Sequence, residues 1–233
     1  MNRLLLLGDE AIAQAAIDAG LSGMYGYPGT PSTEIMEYIQ ASDVAAERRI
    51  HREWSANEKT AMEAALGMSY AGKRAMVAMK HVGLNVASDS FINSAMTGVN
   101  GGLIVVSADD PSMHSSQNEQ DSRFYGKFAF IPCFEPSGQQ EAYNMVFDAF
   151  ELSEKYKIPV LMRITTRLAH SRASVEQVRY PVPEKVLKLP ADPIQFVLLP
   201  ALARKKYKKL LATYESIRYD IRISKYNSFT DSN

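Results

Sequence analysis

The chain has 233 residues, 46% of them apolar and 22% charged, as in an ordinary globular protein with one large domain or a domain plus an appendage. Its 26 basic and 26 acidic residues cancel, so no whole-chain field draws it to nucleic acid or an anionic membrane. One cysteine, Cys133, excludes an internal disulfide, a Cys-rich zinc site and an iron–sulfur cluster held by four cysteines of this chain, and the longest aliphatic run, Leu4 to Leu7, is too short for a membrane span or secretory signal, so the expected location is the cytoplasm.

Residues 9–19 are Ala-rich and stop at Gly20, which predicts a helix closed by glycine. Residues 24–27 read as a short strand ending at Pro28-Gly29. Thr30 and Pro31 then open a second helix, with Thr30 as N-cap and Pro31 as first helical residue. A weaker strand is expected over 49–54, a helix over 56–70 with Gly72 behind it, and a buried strand over 74–79. A helix over 84–96 leads to the clearest central strand, 102–107, and then a helix over 137–156 and a strand over 159–164. Short apolar strands alternating with helices of this length predict an α/β fold, a parallel sheet with helices on both faces.

Composition changes after Val178. Four of the 11 prolines (Pro181, Pro183, Pro190, Pro193) fall in a stretch without apolar periodicity, which predicts an extended linker over 179–195 after a domain of residues 1–178. Pro200 starts a helix in the last part, 196–233, with an apolar stripe at Tyr207, Leu210, Leu211, Tyr214, Ile217 and Ile221 that needs a covering surface. Its basic face (Arg204, Lys205, Lys206, Lys208, Lys209) fits a solvated helix face better than a nucleic-acid patch on a neutral protein. The tail from Ser224 to Asn233 is polar and reads as a connection.

Walker A and G-x-G-x-x-G patterns are absent. Gly67-Met68-Ser69-Tyr70-Ala71 lacks the final glycine of a nucleophile elbow and falls in a helix, and the four histidines show no metal-ligand spacing. Four segments stand where strands end, the place where open parallel sheets bind ligands. They are residues 26–33, 53–59, 80–85 and the polar loop 114–123. Each also has a plain structural explanation: Thr30 as N-cap, Ser55 and Glu58 as a capping box, Lys80 and His81 as a polar strand terminus, and the loop as a turn.

Together and in this order, the strings GYPGTPSTEI (26–35), NEKTAMEAALGMSYAGKRAMVAMKHVGLNVASD (57–89), GGLIVVSADDPSMHSSQNEQDSR (101–123) and EPSGQQEA (135–142) carry a specific resemblance. The chain resembles the N-terminal pyrimidine-binding domain of the large subunit of indolepyruvate ferredoxin oxidoreductases, within the thiamine-diphosphate-dependent 2-oxoacid:ferredoxin oxidoreductases. The resemblance covers roughly residues 5–170 and implies the thiamine-diphosphate (pyrimidine-domain) fold. It further implies oxidative decarboxylation of indolepyruvate or other arylpyruvates, with coenzyme A and ferredoxin, to an arylacetyl-CoA. The implied partners are the remaining domains of the same subunit, a smaller subunit and ferredoxin, with a homodimer also compatible.

The family's large subunit carries a G-D-G…N metal-diphosphate pattern and cluster-binding cysteines. This chain has neither, so magnesium and [4Fe–4S] clusters are expected in the full enzyme but not on these residues. The expectation is a fragment, inactive alone, or a natural split subunit that leads to a downstream domain.

By the same resemblance a glutamate binds N1′ of the cofactor's aminopyrimidine and shares a proton with it. Such a carboxyl belongs in an apolar environment, and Glu58, followed by Ala61, Met62, Ala64 and Ala65, fits. Glu53 and Glu63 are rivals: Glu63 stands about 140° around the helix from Glu58, and Glu53 precedes the strand end. Pro28, Gly29 and Thr30 match the family's cofactor turn. Lys80, His81, Asn85, Gln117 and Asn118 are placed on the substrate side. Pyruvate-specific relatives have an arginine for the substrate carboxylate where this chain has Asp109-Asp110, so Lys80 or His81 takes that part. Two alternatives stay open: a non-catalytic assembly module of the same fold, and an oxidoreductase for another 2-oxoacid.

Overall fold

The computed structural model describes residues 2–178, 181–192 and 194–228. Arg179, Tyr180 and Pro193 of the expected linker and residues 229–233 of the expected tail lie outside these. The chain opens with β1 (Arg3–Leu7), α1 (Gly8–Asp18), β2 (Gly23–Gly26), α2 (Thr33–Ala41), α3 (Asp43–Glu47) and β3 (His51–Trp54). Then come α4 (Glu58–Tyr70), β4 (Ala75–Lys80), α5 (His81–Val86), α6 (Ser88–Thr97), β5 (Leu103–Asp109) and α7 (Arg123–Ala129). β6 (Cys133–Phe134), α8 (Gln139–Tyr156), β7 (Val160–Thr165), α9 (Thr166–Ala169), β8 (Arg172–Glu176) and α10 (Pro200–Arg222) complete it.

Six strands form one sheet in the order β3-β2-β4-β5-β7-β6, parallel at every pairing. Successive strand side chains point to opposite faces, and the apolar runs are sorted accordingly. Met24, Met76, Ala78, Ile104, Val106, Val160 and Met162 face a core closed by α1, α2 and α8. Tyr25, Val77, Met79, Leu103, Val105 and Leu161 face a second core closed by α4, α6 and α10. Helices thus cover both faces, as the sequence predicts.

The apolar stripe of α10 is covered in part, with Tyr207 and Leu211 left exposed. Leu210 and Ile217 are buried in the second core, and Phe130 meets the rings of Tyr207 and Tyr214 edge-on at centroid separations of 6.3 and 5.1 Å. The described part of the Pro-rich segment lies along the body of the protein: the Lys188 backbone N–H donates to Ala71 O at 2.8 Å, and just beyond it Phe196 stacks on Tyr70.

Several elements differ from expectation. β1 and β8 form a separate antiparallel pair, and β6 is a two-residue edge strand. The helix expected over 84–96 is two helices that meet at Ala87, the C-cap of α5. α2 begins at Thr33, not Pro31, because the Ser32 N–H closes a turn onto Gly29 O at 2.9 Å and keeps the preceding residues out of the helix. The cap of α4 is Asn57, whose Oδ1 accepts the Thr60 N–H at 3.0 Å, while Thr60 Oγ1 accepts the Asn57 N–H. This reciprocal box supplants the Ser55–Glu58 box, and Glu58 has no capping duty.

Candidate active site

Four of the singled-out segments converge where β2, β4 and β5 end. β2 stops at Gly26, flanked in register by Trp54 of β3 and Ala78 of β4. Beyond it the Gly29 N–H donates to Thr33 Oγ1 at 2.9 Å and the Ser32 hydroxyl donates to Gly29 O at 2.8 Å, which fixes the turn. Pro28 and Thr30 are exposed on that turn, and Gly29 packs against the Lys80 side chain.

Glu58 is the first residue of α4. Its side chain is half-buried and lies against Gly83 of α5, and it accepts no hydrogen bond from the described residues. The expected apolar enclosure is incomplete: Ala61, Met62 and Ala65 turn into the core, Ala64 faces solvent, and the carboxyl stands at the helix start. Its rivals are engaged. Glu53 is exposed and pairs with His51 Nε2 at 3.1 Å, and exposed Glu63 lies 3.9 Å from Lys59 Nζ.

At the end of β4, Lys80 and His81 part company. Lys80 Nζ donates to Ser115 O at 2.8 Å and reaches Ser115 Oγ at 3.4 Å, and Ser115 Oγ in turn donates to Thr30 O at 3.3 Å. The ammonium is thus held by neutral oxygens between the β2 turn and the loop after β5. His81 is fully buried, donates from Nε2 to Asn118 O at 3.2 Å, and has no partner at Nδ1 among the described residues. It supports the loop from below instead of lining the substrate side, because the returning loop covers it. Gln117 and Asn118 are exposed on that loop. Asn85 is exposed one turn beyond His81, where its Oδ1 accepts the Tyr125 hydroxyl.

Asp110 organises the loop, a role the sequence reading missed. Its buried carboxylate accepts from Ser115 N at 2.8 Å, Ser116 Oγ at 2.6 Å, Thr166 Oγ1 at 2.7 Å and His114 N at 3.3 Å. Burial alone would raise this carboxyl. The bonds from Ser116, Thr166, Ser115 and His114 outweigh it and hold Asp110 well below the usual carboxylate range. The signal was an aspartate four to six residues before a His-Ser-Ser run, the reach of a side-chain-capped turn. Asp109 anchors the loop's far end: it pairs with Arg163 Nε at 2.7 Å and accepts the Ser122 N–H at 3.1 Å.

Recesses among the described residues lie between α6 and α10 and beside β6.

Residues 14–215 match the family described as pyruvate flavodoxin/ferredoxin oxidoreductase, thiamine diphosphate-binding. The chain belongs to this family. It is 50% identical over 231 residues to indolepyruvate oxidoreductase subunit IorA of Pyrococcus abyssi, covering 97% of this chain and 35% of that protein. It is 47% identical over 231 residues to the same subunit of Archaeoglobus fulgidus, covering 97% of this chain and 37% of that one. A more distant relative, 2-oxoglutarate synthase subunit KorA of Methanothermobacter marburgensis, is 29% identical over 188 residues, 77% of this chain and 48% of its own. The chain therefore spans about a third of the length of the IorA proteins it matches. The fold is shared with a solved 2-oxoglutarate:ferredoxin oxidoreductase from Magnetococcus marinus, at a TM-score of 0.73 and 19% identity over 96% of this chain and 46% of that one.

Proposed function

We propose that this chain is the pyrimidine-recognising part of an indolepyruvate, or more broadly arylpyruvate, ferredoxin oxidoreductase. The observation that carries the reading is the Glu58 carboxyl, which alone among Glu53, Glu58 and Glu63 has neither an ionisable side-chain partner among the described residues nor a capping role, and which lies against Gly83 just past the end of β4. A carboxylate free to meet a ring nitrogen, over a floor that Gly83 leaves clear, suits the aminopyrimidine end of thiamine diphosphate. The diphosphate end is not matched here: among the described residues no group of three or more His, Cys, Asp or Glu can hold a metal. Magnesium and [4Fe–4S] clusters, which the resemblance implies for the full enzyme, are assigned on this reading to its other domains. Burial, and then the charge of Glu135, push the Cys133 thiol up to about 12, which keeps it in the protonated, weakly nucleophilic form.

Thiamine diphosphate, when bound, supplies the electron sink for decarboxylating a 2-oxo acid. This chain's residues contribute around it. Glu58 holds and returns a proton at one carboxyl oxygen. The Pro28–Thr30 turn presents backbone and the Thr30 hydroxyl. Lys80 is placed to meet a substrate carboxylate: its Nζ donates to the Ser115 carbonyl and hydroxyl oxygens and has no ion pair among the described residues. His81 holds Asn118, and with it Gln117, in place. Asn85 stands at the rim.

On this reading residues 1–178 form the cofactor domain, 179–195 a connector, and 196–233 a last segment whose helix α10 docks back on that domain. Coenzyme A, ferredoxin and a smaller subunit complete a cytoplasmic enzyme. Among the described residues no helix is long and apolar enough to cross a membrane. The test is steady-state oxidation by the full-length subunit with its partner. Arylpyruvates should exceed 2-oxoglutarate in kcat/KM, and Lys80→Met should raise KM for the 2-oxo acid. Equal use of 2-oxoglutarate, or an unchanged KM in Lys80→Met, would remove the substrate assignment.

A further inference from the structure

α5 carries a glycine where a helix is better served by alanine. Gly83 is buried in the third position of α5, and its φ lies outside the left-handed region, which among the described glycines only Gly20, Gly72 and Gly98 occupy. Backbone freedom therefore does not explain it, and a glycine inside a helix destabilises it relative to alanine.

What remains is space. A Cβ at position 83 would lie 2.6 Å from Oε1, 2.7 Å from Cγ and 2.9 Å from Cδ of Glu58, and these are its three nearest neighbours. Such separations are inside van der Waals contact, so one partner has to move. The Gly83 backbone is held in place: its carbonyl accepts the Ala87 N–H at 2.9 Å, and the residue sits between buried His81 and Leu84. The Glu58 carboxyl is the free end of a side chain with no hydrogen bond to the described residues, so it is the group that yields.

We propose that Gly83 is a positioning residue for Glu58: its missing Cβ lets the carboxyl lie against α5 and fixes where the carboxylate meets the aminopyrimidine ring. The inference deepens the reading of Glu58 given above and rests on it. It also gives the glycine of the Lys80-His81-Val82-Gly83-Leu84-Asn85 string a reason that helix stability cannot supply.

The test is Gly83→Ala in the full-length subunit with its partner. Three results are expected. The melting temperature stays within about 3 °C of wild type or rises, since alanine favours the helix. A crystal structure of the variant shows the Glu58 carboxyl moved off α5. Exchange of the C2 proton of bound thiamine diphosphate slows on the order of 10²-fold. In a Glu58→Ala background, adding Gly83→Ala slows exchange no further, the mark of two residues acting through one group. Wild-type exchange with an unmoved carboxyl overturns the proposal, as does a large loss of melting temperature, which would make Gly83 a residue of the helix itself. Additive losses in the double variant overturn it as well. If Glu58→Gln exchanges at the wild-type rate, the reading of Glu58 fails by itself, and the crystallographic displacement alone decides whether Gly83 sets the carboxyl's place.

Discussion

Lys80 donates to the Ser115 carbonyl oxygen at 2.8 Å and so ties the end of β4 to the loop that follows β5. Ser115 is itself held by Asp110, which accepts its N–H at 2.8 Å. The position of the ammonium is therefore set by a carboxylate that does not touch it.

Asp110→Ala should release that loop. Five donors (Ser115 N–H and Oγ, Ser116 Oγ, Thr166 Oγ1 and His114 N–H) lose this acceptor, at a cost of about 2–3 kcal/mol once solvent has re-entered. Because the folded carboxyl is depressed, its contribution is present above about pH 4, the ordinary carboxylate value, and is lost as pH falls further. Asp110→Asn should accordingly flatten the acid limb of the stability profile and raise amide exchange at residues 114–116. Wild-type protection of those amides would show that the loop is held by something else.

How much of this was legible in the sequence follows from what each element depends on. β4, β5 and β7 are long apolar runs buried on both faces, and such runs announce themselves. β8, Arg-Ala-Ser-Val-Glu, pairs only with β1 and has one buried side chain, so nothing in its composition marks a strand. The break at Ala87 is silent because alanine is the residue least able to end a helix. Ser55 and Asn57 are both good N-caps two residues apart, and only the reciprocal Thr60 bond ranks them. Glu58 is singled out by the family resemblance, since its place after a strand end fits a capping box equally well. The burial of His81 could not be read, since it depends on Asn118 folding back across 37 residues of chain.

A second carboxyl gives a pH signature of opposite sign. Asp9, fully buried near the start of α1, receives no N–H or hydroxyl from the described residues at either oxygen, nor does Glu34 Oε2, which leaves the two carboxyls only a proton to share. Burial first, then the charge of Glu34, a hydrogen bond shared with it and the charge of Glu10, raise Asp9 well above the usual carboxylate range. His170 Nε2 faces Glu34 from α9's end at 3.3 Å, and Arg172 lies 3.9 Å from Glu10. With the folded value raised, keeping Asp9 costs nothing below about pH 4, and stability is lost as pH rises from there through the raised value, at about 1.4 kcal/mol per pH unit. Asp9→Asn mimics the protonated acid and still donates to Glu34. It should match wild type near pH 4 and melt progressively higher than wild type toward pH 8. A variant destabilised equally at every pH would contradict this.

The contact of α10 with the sheet domain is tested by truncating side chains. Ile217, fully buried, should cost about 2–4 kcal/mol on replacement by alanine, and Leu210 a similar amount. Tyr219, 64% exposed on the same helix, should change stability by no more than about 0.5 kcal/mol. Equal, small effects at all three positions would mean that the helix does not dock in solution.

The central claim is that Glu58 exchanges a proton with the cofactor, and Glu58→Gln tests it most directly, measured in the full-length subunit with its partner for C2–H exchange of bound thiamine diphosphate and for melting temperature. Asn57→Ala serves as the control, because Asn57 is the true cap and its loss should cost about 0.5–2 kcal/mol of stability. The account predicts that Glu58→Gln melts like wild type and exchanges on the order of 10²–10⁴-fold more slowly. Wild-type exchange in Glu58→Gln would contradict it.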